Sequence, residues 1–130
     1  MFKDDLLKGK KILVTGGGTG LGKEMSEHYI QHGAEVVICG RRESVLEETA
    51  KEFKGKYNSL VRYEPLDIRS PQDVQDFIDR IFQEGPLHGL VNNAAGNFIS
   101  PTKDLSSRGF DAIANIVFHG TFYVTHAVGK

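Results

Sequence analysis

Short apolar runs alternate along the chain with stretches whose apolar residues recur every three or four positions. Lys11-Ile12-Leu13-Val14-Thr15 is apolar at its centre, the pattern of a strand covered on both faces. From about Leu21 to His32, Leu21, Met25 and Tyr29 share one helical face, and Gly33 supplies a stop. A second strand is expected from Glu35 to Gly40. Val45, Leu46, Thr49, Ala50 and Phe53 then recur at helical spacing, with the helix ending near Gly55. The third strand, roughly Ser59 to Leu66, carries Pro65 near its end, which predicts an edge position because proline cannot donate to a ladder. Ser70-Pro71-Gln72-Asp73 reads as a helix start, with Ser at the N-cap and Pro at the first helical position. Val74, Phe77, Ile78, Ile81 and Phe82 make its apolar stripe, and Gly85-Pro86 ends it. A fourth strand is expected at about His88 to Asn92, followed by a loop through Gly96 and Pro101. Ser106 or Ser107 then caps a last helix that buries Phe110, Ile113, Ala114 and Val117.

This alternation is βαβαβαβα with short connections, which gives an α/β fold with a parallel sheet and helices on both faces. The expected strand order is 3-2-1-4, half of a doubly wound arrangement. Its switch point lies between the first and fourth strands, where a cleft opens at the strands' C-terminal ends.

Composition narrows the function classes. The 130 residues suit one domain with a single core. The net charge of −1 gives no global electrostatic case for nucleic acid or an anionic membrane. No apolar run approaches a membrane span, and Met1-Phe2-Lys3-Asp4-Asp5 resembles no targeting peptide. The single Cys39 sits in an apolar run and reads as a small core residue of a cytoplasmic protein. The five histidines show no metal-ligand spacing, so no metal site is expected.

The first strand runs into Gly16-Gly17-Gly18-Thr19-Gly20-Leu21-Gly22, and a helix runs out of it. Strand, glycine turn and helix is the layout of a dinucleotide phosphate site of Rossmann type: the turn brings backbone close to a pyrophosphate, and the helix N-terminus offers free N–H groups. Gly16, Gly18, Thr19, Gly20, Leu21 and Gly22 are the expected cofactor contacts. The spacing is wider than G-x-G-x-x-G. Gly17, Gly22 and Lys23 also fit G-x-x-x-x-G-K, but Glu24 stands where a P-loop needs a Mg-binding hydroxyl and would repel a phosphate. The plain alternative is a ligand-free turn, for which so many glycines have little reason.

The end of the second strand reads Gly40-Arg41-Arg42. No acid is there to bind a ribose 2′-OH or repel a 2′-phosphate, and two guanidinium groups can pair with one, which favours NADP(H). The competing reading is a solvated basic pair at a helix start. Asp67 at the end of the third strand can accept a hydrogen bond from the adenine amino group, and Ile68 can cover the ring. Asp67 equally suits a turn. Asn92-Asn93-Ala94-Ala95-Gly96 ends the fourth strand with two amides and three small residues, suited to backbone meeting ligand or to an amide bridging strands.

Thr15-Gly16-x-x-x-Gly20-x-Gly22, Asp67 and Asn92-Asn93-Ala94-Ala95-Gly96, at these separations, resemble the short-chain dehydrogenase/reductase family over nearly the whole chain from about Gly9. Within it, the stretches Thr15 to Lys23 and Asn93 to Thr102 look most like the 2,4-dienoyl-CoA reductase branch. That resemblance implies NADPH-dependent reduction of a conjugated dienoyl thioester in unsaturated fatty acid breakdown. It implies cofactor contacts at Asn93, Ala94, Ala95 and Gly96. Most family members carry an Asn three residues before the Gly that matches Gly120. Here that position is Val117, and Asn97 matches the Asn implicated in this branch instead. Asn97 is therefore the implied catalytic residue, donating to the thioester oxygen, although an Asn holding a turn is an equal reading. Arg69 is implied at the CoA phosphates, and Phe98 and Ser106 along the acyl-CoA path.

The family's proton donor is a Tyr followed four residues later by Lys. Tyr29, Tyr57, Tyr63 and Tyr123 are followed at that distance by Gly33, Val61, Asp67 and Ala127. The expectation is the N-terminal part of a single NADP-binding domain, residues 1–130, truncated before the catalytic dyad. The intact protein is expected to be a dimer or tetramer. A 3-oxoacyl or other reductase of the family, and a non-catalytic NADP(H)-binding module, are the alternatives.

Overall fold

The computed structural model describes residues 5–94 and 102–129. Four strands, β1 (Lys11–Thr15), β2 (Glu35–Gly40), β3 (Arg62–Pro65) and β4 (Gly89–Val91), form one sheet in the order β3-β2-β1-β4. Every pairing is parallel, with Leu13 beside Val37 and Leu90. The strands are joined by α1 (Gly20–Gln31), α2 (Glu43–Tyr57) and α3 (Pro71–Gln83). After β4 and a short 3₁₀ turn come α4 (Ser107–Ala114), a π-helical segment (Asn115–Gly120) and α5 (Thr121–Gly129). The strand order and class are those expected from the pattern. No helix among the described residues is long and apolar enough to cross a membrane.

Strand alternation divides the core into two. Leu13, Val37 and Cys39 face Val74, Phe77, Ile78 and Ile81 of α3 and Val124 and Ala127 of α5. Val14, Val36 and Ile38 face the other way, toward Ile30, Leu46 and Phe53 of α1 and α2. Each large side chain fully buried this way contributes roughly 1.5–3 kcal/mol. Ser70 caps α3 through Asp73 N–H, and Pro71 opens it, as the sequence indicates.

Four expectations about helix faces and ends need correction. In α1 the buried line is Gly22, Ser26 and Ile30, while Leu21 is 69% exposed. The apolar residues are not the ones nearest the sheet, because small residues there let the helix approach. In α2 the stop is Asn58, left-handed at φ 52°, and Gly55 lies inside the helix. Phe82 turns outward at the end of α3. In the last helix Phe110 and Val117 are exposed, and Gly120, Val124 and Ala127 are buried instead. The π segment adds a residue to its turn, so Val117, extrapolated at 3.6 residues per turn, drifts off the core. Phe110 lies ahead of that segment in α4, which buries no residue.

Pro65 lies on an edge strand as expected. Arg62, Glu64, Arg80 and Glu84 form a charged network along that edge. At the foot of β4, His88 N–H donates to the Lys11 carbonyl at 2.8 Å, and Lys11 N–H donates to His88 Nδ1 at 3.0 Å.

Candidate nucleotide-binding cleft

The C-terminal ends of β1, β2 and β4 converge on one cleft, and side chains rather than ladder bonds hold its mouth. Thr15 Oγ1 receives the backbone N–H groups of Asn93 and Ala94, each at 3.0 Å. Asn93 Nδ2 donates to the Gly16 carbonyl at 3.2 Å. Asn93 is thus the amide that bridges strands, while Asn92 donates to Thr125 Oγ1 of α5 at 3.0 Å.

The glycine turn is pinned from three sides. Gly16 N–H donates to the Cys39 carbonyl at 2.8 Å, and Thr49 Oγ1 of α2 donates to the Gly18 carbonyl at 2.7 Å. Gly16 is left-handed at φ 67°. A Cβ at Gly22 would stand 2.3 Å from the Gly16 carbonyl oxygen and 2.5 Å from Asn93 Nδ2, so α1 can begin against the turn only with glycine there. The start of α1 has no acidic residue in its first turn and no side-chain cap on its free N–H groups. Those donors and the positive end of the helix dipole suit an anion.

A cavity of about 470 Å³ lies over this turn. Of the residues expected from the sequence, Gly16, Gly18, Thr19, Arg41, Arg42, Asp67, Ile68, Asn93 and Ala94 line it. Gly20 and Leu21 open α1 beside it, and Gly22 is buried beneath. Arg69 and Ser106 do not line it. Ser106 caps α4, its Oγ accepting from Gly109 N–H at 3.0 Å. Ala95, Gly96, Asn97 and Phe98 lie outside the described residues.

Cys39, Gly40, Val45, Leu46, Leu66 and Ile116 also line the cavity and are not among the expected site residues. Val45 and Leu46 sit on the first turn of α2, directly after the two arginines, and their position next to Arg42 was the available signal. Ile116 reaches the cavity from the π segment, which no pattern in the sequence announces.

Arg41 and Arg42 are exposed and make no ion pair among the described residues. Asp67 is bonded to Arg69, whose guanidinium holds its carboxyl below the usual range, with a smaller contribution from Arg41. Burial pushes the Cys39 thiol up from 9.0 to about 12, so at neutral pH it is a protonated apolar group in the wall. Glycines that a Cβ would block, uncapped helix donors and unpaired guanidinium groups together suit a phosphate-bearing dinucleotide.

A family model described as short chain dehydrogenase matches residues 10–130. A probable 2,4-dienoyl-CoA reductase from Caenorhabditis elegans is 42% identical over 132 residues, covering 100% of this chain and 43% of that protein. A peroxisomal 2,4-dienoyl-CoA reductase from Arabidopsis thaliana is 38% identical over 130 residues, covering 99% of this chain and 43% of that protein. A short chain dehydrogenase from Shigella flexneri, solved in complex with NADP, superposes with a TM-score of 0.92 at 28% identity. It covers 97% of this chain and 54% of that one. The chain spans less than half the length of the two curated relatives.

Proposed function

The chain belongs to the short-chain dehydrogenase family, and from that membership we propose that it is the N-terminal part of an NADPH-dependent reductase acting on a 2,4-dienoyl-CoA thioester. The observation that carries the cofactor assignment is the pair of unpaired guanidinium groups, Arg41 and Arg42, beside an uncapped glycine turn.

NADPH, when bound, supplies a hydride. The turn from Gly16 to Gly22 and the first N–H groups of α1 hold the pyrophosphate. Arg41, with Arg42, pairs with the 2′-phosphate. Asp67 accepts from the adenine amino group and Ile68 covers the ring. Asn93, Ala94, Ala95 and Gly96 let backbone approach the far end of the cofactor. Asn97 donates to the thioester oxygen as negative charge develops there. Phe98 and Ser106 line the acyl path. The family resemblance directs Arg69 to a CoA phosphate, for which its Nη1 donors are available while Nε and Nη2 hold Asp67.

A 3-oxoacyl or other reductase of the family is the neighbouring assignment. A non-catalytic NADP(H)-binding module is the alternative from another class, and a Tyr-x-x-x-Lys elsewhere in the protein would disfavour it. The reading expects an acyl-CoA as the bound partner, no nucleic acid, a homo-oligomer and a cytoplasmic location. The Arabidopsis relative is peroxisomal by name, and a fluorescent fusion separates the two compartments.

The test is titration of NADPH and NADH into the chain and into Arg41→Ala. Selective NADPH binding, lost in the variant, is the expected result. Binding of neither cofactor by a sample with a folded circular dichroism spectrum overturns the assignment. Added 2,4-dienoyl-CoA should then bind the NADPH complex, and Asn97→Ala should weaken it.

A further inference from the structure

One arginine pairs with the Asp67 carboxylate through three N–H groups. Arg69 donates its backbone N–H to Oδ1 at 3.0 Å, Nε to Oδ1 and Oδ2 at 2.9 and 3.1 Å, and Nη2 to Oδ2 at 2.7 Å. The Nε proton is shared by both oxygens. A carboxylate has about four acceptor sites, so Arg69 takes most of Asp67 and leaves room for one further donor such as an adenine amino group. Arg41 and Asp67 both line the cleft of about 470 Å³, and both line a neighbouring cavity of about 410 Å³. The field of Arg41 reaches the Asp67 carboxylate and helps hold its pKa down. Asp67 therefore shares its surroundings with two guanidinium groups and, among the described residues, is ion-paired with Arg69.

We propose that Arg69 determines nucleotide specificity as a positioning residue: by pairing with the Asp67 carboxylate, it leaves Arg41 free to pair with a phosphate on the 2′ oxygen of an adenosine ribose. The proposal rests on the cofactor assignment above and adds a residue to it. With Arg69 removed, Asp67 is an unpaired anion beside Arg41. It competes with the phosphate for that guanidinium and repels the phosphate directly. The other acids of the neighbouring cavity, Asp73 and Asp76, sit on α3 and keep their surroundings in that variant, since Asp76 accepts from Gln72 and Asp73 lies in the capped first turn. Arg80, the other cation of that cavity, is engaged by Glu64.

Two fragments of the cofactor isolate the effect, because 2′,5′-ADP and 5′-AMP differ only in the 2′-phosphate. Calorimetric titration of each into the chain, Arg69→Gln, Asp67→Asn/Arg69→Gln and Arg41→Ala gives the readout, with thermal melts to show that each variant folds. Arg69→Gln should weaken 2′,5′-ADP about fivefold, the scale of an exposed charge pair, and leave 5′-AMP little changed. The double variant should recover the lost affinity. Equal weakening of both ligands, unchanged 2′,5′-ADP, or no recovery in the double variant overturns the proposal. Weakened CoA with unchanged 2′,5′-ADP overturns it in favour of a substrate role for Arg69. If the folded chain does not bind 2′,5′-ADP at all, the cofactor assignment falls and this falls with it. Binding lost in Arg41→Ala but untouched in Arg69→Gln sinks the Arg69 role alone.

Discussion

Asn93 donates its side-chain amide to the Gly16 carbonyl oxygen at 3.2 Å, and so ties the end of β4 to the glycine turn after β1. The same residue gives its backbone N–H to Thr15. One side chain thereby fixes the spacing of the two loops that wall the cleft.

Asn93→Ala should lower stability by about 1 kcal/mol, the net contribution of a partly buried hydrogen bond. A thermal melt should fall by several degrees, and nucleotide affinity should fall with it. Asn92→Ala is the control. Its amide meets the exposed Thr125 hydroxyl, so the melt should move less and nucleotide binding should not change. Equal effects of the two substitutions would contradict the bridging role.

Gly22→Ala and Gly55→Ala should act in opposite directions, though both lie in helices and both replacements favour helix by about 0.5–1 kcal/mol. At Gly22 the new methyl meets a backbone carbonyl 2.3 Å away, which forces α1 off the turn. At Gly55 nothing lies within 4 Å, so the propensity gain is retained. Denaturant melts of the two variants read the sign directly.

Cys39 should make the fold sensitive to alkali. In the unfolded chain its thiol ionises near the ordinary 9.0, and in the folded state near 12. The folded form thus holds the proton more tightly, and this stabilisation is complete below the unfolded value and lost as pH rises from 9.0 toward 12. Denaturant midpoints of the chain should fall through that window, and those of Cys39→Ala should fall less steeply. A thiol reagent should react at neutral pH only as fast as the chain opens.

β4 is a three-residue strand at the sheet edge, paired among the described residues with β1 alone. Its free side presents backbone donors and acceptors with no charged residue among Gly89, Leu90 and Val91. Such an edge invites pairing with another chain. The melting temperature should depend on protein concentration, with association visible by light scattering. A concentration-independent melt of a monomer would argue against an adhesive edge.

Much of this architecture is legible in the sequence. The β1 and β2 bounds, the Ser70 cap, the edge position of Pro65 and the strand order all follow from local chemistry that acts within a few residues. The errors arise where packing depends on distant partners or on unusual helix geometry. Leu21 looks like a core residue, yet Gly22 and Ser26 are the buried ones, because α1 must start against the Gly16 carbonyl and the Asn93 amide. Val117 looks buried until the π segment shifts the helix phase, and Phe110 looks buried although α4 as a whole buries no residue. In the cleft, the glycines, Arg41 and Asp67 announce themselves by residue type at strand ends. Ile116, the Thr49 bond to Gly18 and the grip of Arg69 on Asp67 do not, since each depends on the three-dimensional placement of common residues.

The π segment also divides one continuous helix into two parts of unequal cooperativity. α4 buries no residue fully, whereas α5 seats Val124 and Ala127 in the core and Gly120 closes against Ile68. Opening α4 forfeits little apolar contact, and opening α5 unpacks α3. Amide hydrogens should therefore exchange rapidly up to the π turn and slowly beyond Gly120. Ile116 sits at that boundary and lines the cleft, so a nucleotide held there would slow exchange on the fast side as well, and the helix would report occupancy through its least protected half.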